Sequence, residues 1–316
     1  MRAIALANQK GGVGKTTSTA SLGACLALRG RKVLLVDIDP QSNLSIHLGV
    51  NIHEDRPSMY GLMIGQATAP QVIRHTGVAN LDIIPSDIDL AGAEIELVGV
   101  VGRETVLKEA LSPVLDGYDY LMIDCPPSLG LLTLNALTTA RELFIPLQTE
   151  FFALHGMSKL LETVDIVKRR LNPELEMTGI IACMYDGRLH LAREVLENIR
   201  QYFGDKVFKT LIRKNVRLAE SPSHGKVIFQ YDDSSSGAQD YQSLADEVMA
   251  QESRLMLKVA EPAARDASAC PPEASACPPE ASACPPEALA AAVLVTPTAA
   301  EALASGDVGA EGDPNG

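Results

Sequence analysis

Short apolar runs alternate with helical segments along most of the chain. Residues 3–8 (AIALAN) are apolar and run straight into a glycine-rich turn. From Thr16 to Leu28, Ala and Leu recur at helical spacing, and Gly30 ends the stretch. Lys32–Asp37 (KVLLVD) is a continuous apolar run closing on a carboxylate, the pattern of a strand buried on both faces of a parallel sheet. Further strands are predicted at Leu81–Ile84, Tyr120–Asp124 (YLMID), Leu143–Leu147 and Gly179–Met184. Helices are predicted at Ala91–Leu115, Leu131–Ala140, His155–Leu171, Ala192–Phe203 and Leu244–Leu257. Alternation at this spacing specifies an α/β fold: a doubly wound, mostly parallel sheet with helices on both faces.

The pattern stops near residue 259. ASACPPE occurs three times in succession, at 267–273, 274–280 and 281–287. The seven-residue period suits a coiled coil, but Pro-Pro in every unit forbids a continuous helix. The chain therefore divides into a globular unit, 1–258, and a disordered Ala/Pro/Ser/Glu-rich tail, 259–316. A repeat expansion without function is one reading of that tail.

Charge sharpens this division. The formal net charge is −13, and from Val259 onward there are nine acids against one base, Arg265. Residues 1–258 keep 26 bases and 31 acids. Any nucleic-acid contact must then come from a local basic patch rather than the overall field. Cys25, Cys125 and Cys183 lie in apolar segments, and Cys270, Cys277 and Cys284 in the tail. No CxxC pair occurs, which argues against a zinc or redox motif. The chain enters strand-like sequence by Ala3, and no run reaches the roughly 18 apolar residues of a membrane helix. A cytoplasmic protein with no membrane insertion is expected.

Residues 10–17, KGGVGKTT, sit between a strand and a helix with P-loop spacing. Gly11, Gly12 and Gly14 let backbone N–H groups converge on phosphate oxygens. Val13 and Thr17 complete the nucleotide-binding run. Lys15 supplies a point charge to the β- and γ-phosphates, and the Thr16 hydroxyl is the expected Mg²⁺ ligand. The helix that starts there turns its positive end to the anion. Asp37 and Asp39, in DIDPQ, and Asp124 lie at strand ends, where open α/β sheets bind ligands. Such an acid holds Mg²⁺ through water or orients an attacking water; Asp37 also reads as a helix N-cap. Lys10 has two readings on spacing alone, a solvated loop lysine or a group that reaches a partner's nucleotide.

NQKGGVGKTT, LLVDIDPQ, AGAEIELV, DCPPSLGLLTLNAL and NVRLAESPSHGK together resemble the ParA/Soj chromosome- and plasmid-partitioning ATPases, in order, over residues 1 to about 256. The resemblance implies a ParA-type P-loop ATPase domain with a deviant Walker A motif. ATP and Mg²⁺ are then sandwiched in an ATP-dependent homodimer, with Lys10 of each subunit reaching the other's phosphates. It implies that Lys10, Lys15 and Asp39 are catalytic, that Gly11 and Gly12 allow close approach in the dimer, and that Asp124 is the Walker B acid. It further implies non-specific DNA binding through Arg188 and Arg217, with Lys214 close by, a ParB-like partner, and association with the nucleoid. Those three bases also read as ordinary surface charges. Two departures bear on that surface: Asp232 is followed by DSSSG, without a base, and Ile212-Arg213-Lys214-Asn215 stands where relatives read IPRN. Alternatives are a ParA-like positioner of a protein cluster or other cargo and a MinD-like membrane-cycling ATPase, which needs a basic amphipathic C-terminal helix. An iron–sulfur relative would need exposed cysteines at the subunit interface. A non-enzymatic scaffold would not need Lys15, Thr16, Asp39 and Asp124 together.

Overall fold

Strands whose every residue is apolar need cover on both faces, and the arrangement of this chain supplies it. The computed structural model describes residues 1–52, 56–150 and 153–260, and the tail expected at 259–316 lies, from residue 261, outside the described residues. The described residues all fall within one unit, Met1–Ser275. The chain runs β1 (Arg2–Leu6), α1 (Lys15–Leu28), β2 (Val33–Asp37), α2 (Asn43–His47), α3 (Met59–Met63) and α4 (Ala69–Val72). It continues through β3 (Arg74–His75), β4 (Leu81–Ile84), α5 (Leu90–Glu96), α6 (Val106–Leu111), β5 (Tyr120–Asp124), α7 (Leu131–Thr139), β6 (Glu142–Gln148) and α8 (Ala153–Arg170). It closes with β7 (Glu176–Tyr185), α9 (His190–Phe203), β8 (Val207–Arg213), α10 (Val216–Glu220), α11 (Ile228–Tyr231) and α12 (Ser236–Ala260).

Among the described residues the sheet has eight strands, ordered β3-β4-β2-β5-β1-β6-β7-β8. All pairs are parallel except the short β3–β4 edge. β2 and β5 are buried along their whole length. From the centre at β1, the chain first builds toward β4 and later toward β8, so the C-terminal strand ends flank a crevice. One group of helices, α1 with α2, α11 and α12, packs together, and α6, α7 and α8 form another; α1 and α7 both lie against central strands. Close approach at the centre depends on small residues: a Cβ on Gly23 of α1 would stand 2.7 Å from Leu35 Cδ2. Cys25, Cys125 and Cys183 are buried free thiols. Among the described residues no helix is long and apolar enough to cross a membrane.

The helix expected over Ala91–Leu115 is not continuous. α5 stops at Glu96, a 3-10 turn covers Leu97–Gly99, and α6 starts at Val106. Gly102 takes φ 74, and the Thr105 hydroxyl donates to its carbonyl at 2.8 Å. A left-handed glycine beside a β-branched pair interrupts the helix where apolar spacing alone would carry it through. Residues 207–213 carried no expectation and form the edge strand β8. The last helix begins at Ser236 rather than Leu244, because the Ser235 hydroxyl accepts the Ala238 N–H at 3.2 Å.

α12 covers the edge strand β8. Its Glu247 carboxylate accepts the N–H groups of Lys209 and Thr210 on β8 at 2.8 and 3.0 Å, and Asp240 accepts that of Arg213 at 2.9 Å. An edge strand covered this way offers little to another chain. At the other end of the strands, Arg2 bonds Glu142 through Nε and Nη2, both at 2.7 Å, and donates to the Val248 carbonyl at 2.6 Å. The Arg2–Glu142 pair is largely buried, at 11% and 9% side-chain exposure. Removing one partner strands the other charge, at a cost of about 3–5 kcal/mol. Arg2→Ala is therefore expected to lower unfolding free energy by that amount in urea denaturation. A loss below about 1 kcal/mol would place the pair with exposed ion pairs instead.

Candidate nucleotide-binding site

β1 ends at Leu6, and the chain turns through a loop set by its glycines. Gly12 and Gly14 take φ 73 and 95, conformations that strain any other L-residue. A Cβ on Gly11 or Gly12 would meet nothing within 4 Å, so the loop backbone faces open space. α1 starts at Lys15 with no side chain capping its first turn. Its free N–H groups and dipole leave a seat for an anion. Val13 is buried beneath the loop, and Thr17 is half-buried beside it. Lys15 is 7% exposed, and its Nζ donates to the carbonyls of Asn8 at 3.0 Å and Lys10 at 3.1 Å. Burial lowers its pKa, against the pull of Asp124.

Two carboxylates sit side by side at the strand ends, because Asp37 of β2 is in register with Asp124 of β5. Asp124 accepts the Thr16 hydroxyl at 2.7 Å and the Thr19 hydroxyl at 3.2 Å. Burial, then the charge of Asp37, pushes the Asp124 carboxyl up to about 8. Burial pushes Asp37 up to about 7, although its oxygen accepts both the N–H and the hydroxyl of Ser45, at 2.9 and 2.7 Å. Asp37 thus braces α2 internally, and Ser42 holds the N-cap position. Asp39, 7% exposed, accepts the Gln41 N–H at 3.0 Å and lines the cleft.

The cleft, about 620 Å³, is lined by Gly11, Gly12, Gly14, Lys15, Thr16 and Thr17 at one end. Asp39, Gln41, Asn43, Ile46 and His47 form one wall, with Met184, Leu218, Ala219 and Pro222 among the others. The Thr16 hydroxyl and the Asp124 carboxylate fit Mg²⁺: both are hard oxygen donors, and a nearby dication favours the ionised form of a carboxyl that burial otherwise keeps protonated. Among the described residues no cluster of three or more His, Cys, Asp or Glu could hold a metal unaided. One hydroxyl, with the carboxylate reached through water and phosphate and water completing the shell, suits a cation that arrives with its nucleotide.

Lys10 is absent from the cleft lining. Its Nζ bonds Glu150 at 2.5 Å and Gln148 at 3.1 Å, both at the end of β6, and it is half-exposed. Gln148 in turn donates to the Gly12 carbonyl at 3.2 Å. Arg188 and Lys214 lie on adjoining loops, because β7 and β8 pair and Lys214 N–H bonds the Tyr185 carbonyl at 3.2 Å. Both are exposed, as is Arg217 of α10. Arg188 is matched by Asp186 at 2.7 Å, which holds that carboxyl down at about 2. Arg217 is matched by Glu220 at 2.9 Å and Asp232 at 3.4 Å. Asn8, Thr19, Ser45, Gln148 and Glu150 join this apparatus without having been singled out. Thr19 was within reach of a sequence reading, three residues beyond Thr16 on the same helix face. Gln148, like Asp124, closes its strand, and Glu150 follows two residues later.

A family model described as an AAA domain matches residues 1–177. The chain is 52% identical over 247 residues to the sporulation initiation inhibitor protein Soj of Bacillus subtilis (strain 168), covering 78% of this chain and 98% of that protein. It is 45% identical over 262 residues to the chromosome partitioning protein ParA of Caulobacter vibrioides, covering 82% and 98%. The solved structure of cobyrinic acid a,c-diamide synthase from Mycobacterium smegmatis, with bound ATP analogue and magnesium, matches with TM-score 0.71 at 36% identity. That match covers 80% of this chain and 96% of the other.

The raised carboxyls give the ligand-free protein a pH signature. A folded chain that binds more protons than the unfolded one loses stability as pH rises. His47 has the opposite sign: burial holds it down to about 4, so its contribution is lost as pH falls below its ordinary 6.5. From pH 6.5, where His47 is neutral in the folded chain and half-protonated only when unfolded, to pH 8, where Asp124 ionises, the two carboxyls outweigh it and set the slope. With chelator and no nucleotide, the melting temperature is expected to fall across that window, and Asp124→Asn to flatten the fall. A flat or rising wild-type profile would contradict the burial of these charges.

Proposed function

We propose that this chain, which belongs to the Soj/ParA family of chromosome-partitioning ATPases, uses ATP hydrolysis to switch a DNA-binding homodimer on and off. The observation that carries the ATPase reading is the uncapped glycine loop with Thr16 and Asp124 joined at its foot, 2.7 Å apart. Loop N–H groups and Lys15 bind the β- and γ-phosphates. Thr16, with Asp124 through water, holds Mg²⁺, which when bound neutralises charge developing on the phosphates. Asp39, at the cleft wall, orients the water that attacks the γ-phosphate.

Dimerisation rests on Lys10. Its ammonium stands outside its own cleft, where Lys15 already serves the phosphates, which supports a use in a partner's cleft. ATP, by offering Lys10 a phosphate across the interface, favours the dimer; loss of the γ-phosphate weakens it. Two copies of the Arg188, Lys214 and Arg217 surface then act together on DNA, so affinity rises by avidity without base reading. A ParB-like partner stimulates hydrolysis, and the protein works in the cytoplasm on the nucleoid to segregate a chromosome or plasmid. The catalytic unit is residues 1–258, with 259–316 outside it.

Two substitutions separate these roles. Lys10→Ala is expected to abolish ATP-dependent dimers in analytical ultracentrifugation while ATP still binds each monomer. Wild-type dimerisation by that variant would return Lys10 to the solvated-loop reading. Asp39→Ala is expected to slow steady-state hydrolysis by about 10²–10⁴-fold, the worth of a positioned base, and to leave an ATP-bound dimer. Hydrolysis at the wild-type rate would remove Asp39 from the mechanism.

A further inference from the structure

α5 is apolar on two faces, and only one of them is covered. Leu90, Ala93 and Leu97 are buried, and α5 packs on α3. Ile88, Ala91, Ile95 and Val98 recur at three- and four-residue steps along the other side, with Val101 just beyond. Ile88, Ile95 and Val98 are 66, 77 and 63% exposed, and Ala91 and Val101 are exposed as well. Single exposed apolar side chains are ordinary on a protein surface, but a stripe of them marks a contact.

The charges around the stripe say what covers it. Between Arg74 and Arg103 the chain carries Asp82, Asp87, Asp89, Glu94 and Glu96 and no Lys or Arg. Glu94 and Glu96 accept bonds from neutral groups, the Leu132 N–H at 3.4 Å and the Tyr60 hydroxyl at 2.8 Å. Arg103 is engaged by Glu104 at 3.1 Å and by the Val98 carbonyl at 2.7 Å. An apolar stripe with an acidic rim repels duplex DNA and anionic lipid. It also repels the chain's own tail, where nine acids stand against one base. A second copy turned onto the same stripe would set acid against acid. What fits is an apolar stripe flanked by Lys and Arg, and the spacing suits a helix packed along α5.

The surface adjoins the connection that leaves Asp124. A Cβ on Gly130 would stand 2.5 Å from Glu94 Oε1, at the start of α7, and Pro127 of the same connection lines the cleft. We propose that the outer stripe of α5 is a docking surface for a basic amphipathic helix of a partner protein. The cycle described above gives α5 no part, and the surface does not depend on it.

Fluorescence anisotropy with a labelled helical peptide of about 18 residues, leucines on one stripe and lysines elsewhere, tests the proposal. The full chain is expected to bind it, and not to bind a version with glutamates in place of the lysines. Ile95→Ser is expected to weaken binding about tenfold, the worth of one apolar anchor, and Val98→Ser to act likewise. Both side chains are exposed, so both variants are expected to keep the wild-type melting temperature and rate of ATP hydrolysis. Asp89→Asn is expected to weaken binding at low salt and to flatten its salt dependence. No binding by the wild type, undiminished binding by the folded variants, or equal binding of the glutamate peptide would overturn the proposal. So would self-association of the wild type in analytical ultracentrifugation, without nucleotide, that Ile95→Ser abolishes, because the stripe would then belong to a second copy.

Discussion

Asp124 is wholly buried, and much of the cleft is arranged around that one carboxylate. A charge removed from water needs hydrogen bonds and an opposite charge close by. Thr16 and Thr19 supply the bonds from one face of α1, and Lys15 supplies the charge from the helix start. Asp37 alongside raises the cost, since two adjacent carboxylates resist ionising together. The ligand-free site is therefore short of positive charge at its foot, while the glycine loop above it is short of negative charge. A magnesium–nucleotide complex answers both deficits at once, so phosphate and cation share one crevice.

The fold that holds this arrangement was legible because its strands are nearly all apolar. KVLLVD and YLMID announce buried parallel strands, and each ends in a buried acid, the two in register. The glycine loop was legible for a different reason: the φ values of Gly12 and Gly14 exclude other residues, so composition encodes geometry there. Elsewhere the signal was missing. Apolar spacing from Ala91 to Leu115 looks helical throughout, and only the conformation of Gly102 reveals the break. β8 is half-buried at the sheet edge, and α12 completes its backbone bonds with Glu247 and Asp240, a long-range pairing that no local pattern announces. The neighbours of Lys10 were equally hidden, because Gln148 and Glu150 lie 138 and 140 residues away in sequence.

The outer surface follows a different rule from the cleft. Arg188 and Arg217 are exposed, yet each already faces a carboxylate of its own chain, Asp186 for one and Glu220 with Asp232 for the other. The segment after Asp232 that lacks a base serves instead to cap α12 through Ser235. A single copy of such a surface offers DNA little net charge, in keeping with the acidic balance of the chain. Two copies held together would present twice the contacts, and the exposed ion pairs are weak enough for phosphates to displace. On the proposed function, gating by dimerisation is what would let so weak a surface hold DNA.

The most direct test of that account is binding of the full chain to non-specific duplex DNA, with ATP and with ADP, over a series of salt concentrations. Three bases from each of two subunits predict ATP-dependent binding whose log–log salt slope is about −5, with little binding in ADP. ATP hydrolysis without ATP-dependent DNA binding would contradict it, and would point to a protein or lipid surface as the matrix on which this ATPase works.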